Sequence, residues 1–553
     1  MMAAFLDEAA EYESQHSTTG AGSSKTPEID AKAEGASTEA TENTDVATTT
    51  AVVKPEGGKL LLSACHDWEH MTGKDPVPLG LDGLHNVPLP EGTLAVSSFS
   101  SSSSQHMFVL LDNGQVLALG RNQRGQAGTG AVDSITLGPV SVHPIPVTVP
   151  LPSLFNTTSL TSKVRVVKLS TGKSHSLLLA DNGSVYGCGS NECGQLGLGE
   201  GLKVVQMNTF TAITVPNPGG GFGSDVADIA CGHDYSILCT RQHGYLYSFG
   251  HPEHGQLGHG DNGEFIARSN HVDYNFEKNP RLVESFVRKD AYGKTKAKYS
   301  YSDIRIRKVA CGKNHSICIE DWEGEGRLNR VFSFGYGGYG RLGHGSGATA
   351  DELFPREVTY FSEFDANNLS VMPQNSQKRL RHVFAGSSFS LGAVESGLLY
   401  HWGKMSSARG GEATMAPKIE PDTQTMPCAE RVCAGHNCVA LGFNDCACVW
   451  GAPPAGKYGL QGGARSSTVP KYVPAVDDLC VVSVSAGYGH IAYVLRDRGD
   501  DASATARYAE FPNADPVAPA PPKAPTAAAS FGKPGAKKRP GASAGAAGKK
   551  TRK

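Results

Sequence analysis

Nowhere does this chain run through about 18 apolar residues, and no positively charged start leads into an apolar core, so neither a membrane-spanning helix nor a secretory leader is expected. Its 13 cysteines include no CxxC pair and no Cys/His group at zinc spacing, the nearest approach being Cys446 and Cys448. Reduced thiols serving as small core residues in a soluble, intracellular, disulfide-free protein are the expectation, with no metal and no cofactor. Glycine-rich stretches such as GSGATA and GGARSS lack the lysine of a phosphate-binding loop. No catalytic constellation appears, which disfavours metal or acid/base catalysis while leaving enzyme status open.

Charge is scarce as well, at 19% of residues, and it is unevenly placed. Residues 1–50 hold ten Asp/Glu against two Lys, whereas 531–553 hold eight Lys/Arg and no acid. Both ends are poor in side chains that could offset ordering entropy, so 1–54 is expected to be a disordered acidic segment and 499–553 a disordered Pro/Ala/Gly-rich tail. The tail's clusters Lys537, Lys538, Arg539 and Lys549, Lys550, Arg552, Lys553 read as a two-part nuclear import signal or a nucleic-acid contact arm, with a merely solvated tail as the bland alternative.

What the chain has in abundance is glycine, 66 residues, and it is periodic. The segments TGKSHSLLLADNGSVYGCGSNECGQLGLG (171–199), CGHDYSILCTRQHGYLYSFGHPEHGQLGHG (231–260) and CGKNHSICIEDWEGEGRLNRVFSFGYGGYGRLGHG (311–345) are copies of one unit. Weaker copies occupy 102–130, 385–403, 434–451 and 486–497, giving seven. Within a unit, two β-suited runs flank a turn such as Asp181-Asn182-Gly183; another run precedes, and one marked by proline (Pro280, Pro355, Pro470) follows. Four antiparallel strands per unit make a propeller blade.

Glycine is expected where strands of neighbouring blades crowd the central channel and where the loop beyond needs positive φ. Leu196, Leu257 and Leu342 are expected between blades. The last copy stops after YVLRD, and the strand it lacks appears at 58–73, where Ser63-Ala64 replaces the usual aromatic-glycine pair. An all-β, seven-bladed propeller over 55–498 follows, with N- and C-terminal strands sharing one blade and removing free sheet edges.

The combination GxxHS, strand, turn, strand ending in aromatic-Gly, then xxxxGQLGxG resembles the regulator of chromosome condensation repeat family over roughly 440 residues. Segments 245–283 and 332–345 look most like a second, mitotic member. The copies depart from the pattern in places: the fifth lacks GQLG, and the first has Ser103 for glycine and Gln126-Ala127 for Gln-Leu. Relatives of the mitotic member usually carry a basic N-terminal tail, whereas here the basic tail is C-terminal.

The resemblance implies a guanine-nucleotide exchange factor for a Ras-like small GTPase in chromosome or spindle function, found in the nucleus and on mitotic chromosomes or the spindle, with a cytoplasmic pool. The alternative is a scaffold on chromatin or microtubules without exchange activity. The family's GTPase-contacting turns map onto Asp234 and His315. His106, His175, His315 and His490 recur at one blade position, which favours a role as turn or inter-blade hydrogen-bond partners over catalysis. A strip within the connection 261–303 and just after it, Arg288, Lys289, Lys294, Lys296, Lys298, Arg305, Arg307 and Lys308 with Tyr292, Tyr299 and Tyr301, could meet nucleic acid, acidic tubulin tails or the GTPase; an ordinary solvated loop is the alternative. No membrane partner is expected.

Overall fold

The computed structural model describes residues 57–64, 85–132, 146–156, 164–199, 204–218, 225–267, 271–322, 329–362, 378–394, 398–405, 413–419, 431–444, 446–451, 467–473, 476, 479–496 and 509–510. Residues 1–54 and the basic clusters Lys537, Lys538, Arg539, Lys549, Lys550, Arg552 and Lys553 lie outside the described residues; within 499–553, expected to be disordered, Ala509–Glu510 is described and forms a short strand.

Six blades follow one meander. Blade 3 runs Val226–Cys231, Tyr235–Thr240, Leu246–Gly250 and Glu277–Leu282, each strand antiparallel to the next. Blades 1, 2, 4, 5 and 6 begin at Ala95–Phe99, Val166–Thr171, Ile306–Cys311, Leu380–Ala385 and Arg431–Ala434. The prolines occupy the fourth strands (Glu277–Leu282, Glu352–Glu357, Ser467–Tyr472); the first and last of these are sheet edges, where a missing N–H interrupts no further ladder, and Glu352–Glu357 takes a further strand only through Arg356.

Blade 7 is composite. Cys480–Ala486 and His490–Arg496 come from the C-terminal part, Lys59–Ala64 and then His85–Val87 join them, and Ala509–Glu510 pairs in parallel at the outer edge. Lys59–Ala64 pairs over its whole length, from Lys59 opposite Leu495 to Ala64 opposite His490. Ala64 thereby takes the register position held elsewhere by glycine, since His175 faces Gly189 and His315 faces Gly335.

Seven apolar clusters hold the ring, one at each junction between blades. Second strands such as His175–Ala180 are buried along their whole length because neighbours cover both sides. Leu178 and Ala180 pack with Phe108 and Val116 of blade 1, and Leu177 and Leu179 with Leu238 and Phe249 of blade 3. The cluster joining Leu60, Leu62 and Val494 to Ala95, Met107 and Val109 ties blade 7 to blade 1 and shuts the circle. Leu257 sits with Phe332 and Phe334 of the next blade, the inter-blade position its spacing suggests.

The glycine requirement proves to be of two kinds. At Gly250 (φ +113°) a Cβ would stand 2.6 Å from the Asp234 carbonyl oxygen, so the collision is with the adjacent strand of the same blade and not, as the sequence suggested, around the channel. At Gly312 a Cβ would first meet the His315 ring of its own turn at 2.1 Å and then the Gly386 carbonyl of the next blade at 2.5 Å, so part of the crowding does come from the neighbouring blade.

Candidate protein-docking face

In a four-stranded meander the turn between the first and second strands and the loop after the third emerge at one end. Among the described residues that end, the turn face, carries the GxxH turns and the glycine loops that follow third strands; connections between blades lie at the other end. Backbone bonds link successive turns around the channel mouth: Lys173 N to the His233 carbonyl (3.0 Å), His233 N to Lys313 (3.1 Å), His436 N to Gly487 (3.1 Å), Tyr488 N to Ser104 (2.8 Å). The loops of this face are thus held on a stiff frame, as a docking surface requires.

The recurrent histidines belong to that frame. His106 Nε2 lies 2.6 Å from Ser176 Oγ of the next blade, His175 Nε2 3.0 Å from Ser236 Oγ, and His315 Nε2 3.0 Å from Ser390 Oγ. Each serine donates its one proton back to the preceding blade's loop, to the carbonyls of Gln126 (2.7 Å), Gln195 (2.8 Å) and Arg341 (2.7 Å). The imidazole must therefore supply the proton on Nε2, which assigns the neutral tautomer. Burial, opposed by little else, lowers His106 to about 3, His175 to about 4 and His490 to about 3, and holds His315 well below its ordinary value. His315 is 0% exposed, so its ring fixes the turn without reaching the surface.

Asp234 is different: its side chain is 27% exposed, with Oδ2 2.6 Å from His233 Nδ1. Burial alone would raise it, but the His233 hydrogen bond and the charges of His233, Lys173 and His175 hold it below the usual carboxylate value. The Asp234 carbonyl receives His251 N at 3.0 Å. His251 in turn packs against Tyr274 and Phe276, both at 5.2 Å between ring centres.

Those two aromatics open onto a feature the sequence reading missed. The region 261–303 is not one connection between blades, because Glu277–Leu282 divides it. Its first half forms a hairpin, Glu264–Ile266 with Val272–Tyr274, inserted between the third and fourth strands of blade 3 and hence on the turn face. Phe265, Ile266 and Val272 are 39%, 72% and 55% exposed, three large apolar side chains on six paired residues with no core beneath them. Alternation in NGEFIAR and HVDYNF was the available signal, overshadowed by the neighbouring basic residues.

The basic strip is dispersed. Phe286–Lys289 and Thr295–Tyr299 form a second hairpin, which carries Arg288, Lys289, Lys294, Lys296 and Lys298 and joins the outer strand of blade 4 through Val287 and Arg356. Lys289 is paired with Glu352, and Lys296 with Asp290 at 3.1 Å; Lys294 and Lys298 remain exposed. Arg305 donates to the Arg241 and Gln242 carbonyls (3.3 and 2.8 Å), and Arg307 meets Asp321 at 3.6 Å. Lys308 lines the axial channel, a cavity of about 260 Å³ that also receives Lys168, Asp228 and His382. Of the tyrosines, Tyr292 at the hairpin tip is 96% exposed. Tyr299 and Tyr301 are structural, donating to Glu357 Oε2 (2.8 Å) and the Val283 carbonyl (2.8 Å).

A family model described as RCC1-like domain matches residues 73–493. The chain belongs to the RCC1-like domain family. Among curated relatives it is similar to Protein RCC2 of Mus musculus, 31% identical over 464 residues, covering 81% of this chain and 79% of that protein. Protein RCC2 of Homo sapiens matches over the same extents at 31% identity. Among solved structures, Prp20p of Saccharomyces cerevisiae, described together with its binding properties to Gsp1p and histones, superposes with a TM-score of 0.56 at 20% identity, covering 80% of this chain and 92% of that one. At that identity it supports the RCC1-like fold, whose closed ring and stiff turn face make this chain an interaction propeller.

Proposed function

We propose that this RCC1-like propeller docks a Ras-like small GTPase on its turn face and accelerates loss of the bound nucleotide, as a regulator of chromosome or spindle function in mitosis. The observation that carries the reading is the hairpin Glu264–Tyr274: apolar side chains projected from a rigid rim, beside the anionic Asp234, have no use within the chain. Exchange needs only that the face bind the nucleotide-free GTPase more tightly than the loaded one, since differential affinity shifts the equilibrium. The likeness to RCC2, and to a yeast protein studied with Gsp1p and histones, supports the choice of partner class. His315 contributes by holding its turn, while Asp234 is the accessible member of the pair.

Release of labelled GDP from a panel of Ras-like GTPases, with and without the full chain, tests this reading. A second reading, a chromatin- or microtubule-bound scaffold without exchange activity, draws on the exposed Lys294 and Lys298 and on the basic tail. Nucleosome and tubulin pull-downs with and without 531–553 separate the two. Nuclear and spindle localisation that depends on that tail belongs to the same proposal.

A further inference from the structure

The glycine loop of blade 4 breaks a rule that the other loops keep. In GQAG and the two GQLG loops, the glutamine Oε1 accepts the backbone N–H two residues earlier: Arg124 N to Gln126, Cys193 N to Gln195 and His254 N to Gln256, each 2.8 Å. At the equivalent place this chain has Arg341, and arginine offers no acceptor. The peptide between Gly338 and Tyr339 is reversed, so that its carbonyl faces the side chain and takes Arg341 Nε at 2.8 Å. Reversal puts Tyr339 at φ 63°, the lone non-glycine residue with positive φ among those described.

A tyrosine held in the left-handed region costs roughly 1 kcal/mol or more, and strain of this sort persists where the surroundings enforce it. The enforcing group is Arg341, only 3% exposed, whose Nη1 also donates to the Ser387 carbonyl at 2.9 Å. Its guanidinium lies 4.5 Å from the Tyr336 ring centre and 5.7 Å from that of Tyr339. Among the described residues no carboxylate forms an ion pair with it, though the negative charge of Asp351, which accepts Gly337 N at 2.9 Å in the same loop, acts on it from farther away. The Tyr339 ring, 51% exposed, also carries Lys404 Nζ at 5.3 Å. Thus a strained, half-exposed aromatic lies near two cations, one of them buried without a direct ion pair among the described residues, on the face already assigned to docking.

We infer that Tyr339, Arg341 and Lys404 form an anchoring site for an acidic side chain of the docked protein, its carboxylate seated against the tyrosine between the two cations. A carboxylate there supplies the direct ion pair that Asp351 does not make, and the ring covers its aliphatic stem. The site sits at the junction of blades 4 and 5, where Gly340 packs on Met415, and so extends the docking surface away from the hairpin of blade 3. The inference rests on the docking role of the turn face, yet its test needs no GTPase.

Full-length protein labelled with 3-fluorotyrosine is titrated with acetylated hexaglutamate, the Tyr339 fluorine resonance being assigned by its loss in Tyr339→Phe. A saturable shift is expected, absent with hexalysine and with sodium chloride of equal ionic strength, and weakened about threefold in apparent affinity by Lys404→Gln, the scale of one exposed ion pair. Arg341→Gln is expected to move the Tyr339 resonance before any peptide is added, because the glutamine restores the ordinary loop. A shift that salt reproduces, or that Lys404→Gln leaves intact, overturns the site. An unmoved resonance in Arg341→Gln overturns the origin assigned to it. Absence of exchange activity would leave these outcomes untouched, so the two proposals fail separately.

Discussion

Acidification should loosen the ring at its inter-blade histidines. His106, His175 and His490 are neutral in the fold, with values of about 3, 4 and 3, and regain the ordinary 6.5 on unfolding. The unfolded chain therefore binds more protons below pH 6.5, and stability present above that value is lost as pH falls toward the folded values. At pH 5 the loss is fixed by the unfolded value alone, since all three folded values lie lower: 1.5 units, or about 2 kcal/mol per ring and about 6 kcal/mol together. His315 adds in the same direction. Asp234, lowered from an already acidic value, does not oppose this above pH 5. Urea titrations followed by tryptophan fluorescence at pH 7.5, 6.5, 5.5 and 5.0 measure the effect, and His175→Gln should reduce the proton uptake between pH 6 and 5 by about one. An unfolding midpoint independent of pH over that range, or histidine ring signals titrating near 6.5 in the folded protein, would refute the reasoning.

Gly250→Ala should cost about 2 kcal/mol or more through the positive φ and the Asp234 carbonyl, against about 1 kcal/mol for Gly293→Ala, where φ is +79° but no atom lies within 4 Å; thermal denaturation compares them. Leu62→Ala, at a wholly buried position of the closing strand, should cost about 3 kcal/mol and render blade 7 the first site of limited proteolysis. Lys294→Glu with Lys298→Glu should lower the salt needed to elute the protein from an immobilised polyanion while leaving the melting temperature unchanged, both side chains being exposed.

The repeat exposed the architecture because insertions collect in connections while each blade keeps its strands and glycines. Even the closing strand could be read, since Ser63-Ala64 stands where register demands small residues beside His490. The histidines were readable as inter-blade partners for the same reason: a group repeated around a ring serves the ring. Elsewhere sequence proximity misled. Arg305, Arg307 and Lys308 adjoin the basic hairpin in the chain, but the hairpin adds to the rim of blade 4 while Lys308, on an innermost strand, turns into the channel. The apolar hairpin at 264–274 went unnoticed because its six paired residues are too few for periodicity to stand out, and the fourth strand behind it was merged into one connection. The arginine at 341, where other copies have glutamine, drew no remark in the sequence; the reversed peptide shows that an acceptor has given way to a donor.

The most direct test of the account measures GDP release from Ras-like GTPases with the full chain and with Phe265→Asp/Ile266→Asp. These positions carry no core, so the variant should keep its melting temperature. Faster release from at least one GTPase, abolished in the variant, is the predicted result. Acceleration equal in both proteins, or none across the panel, would contradict the assignment of the turn face as the docking surface of an exchange factor.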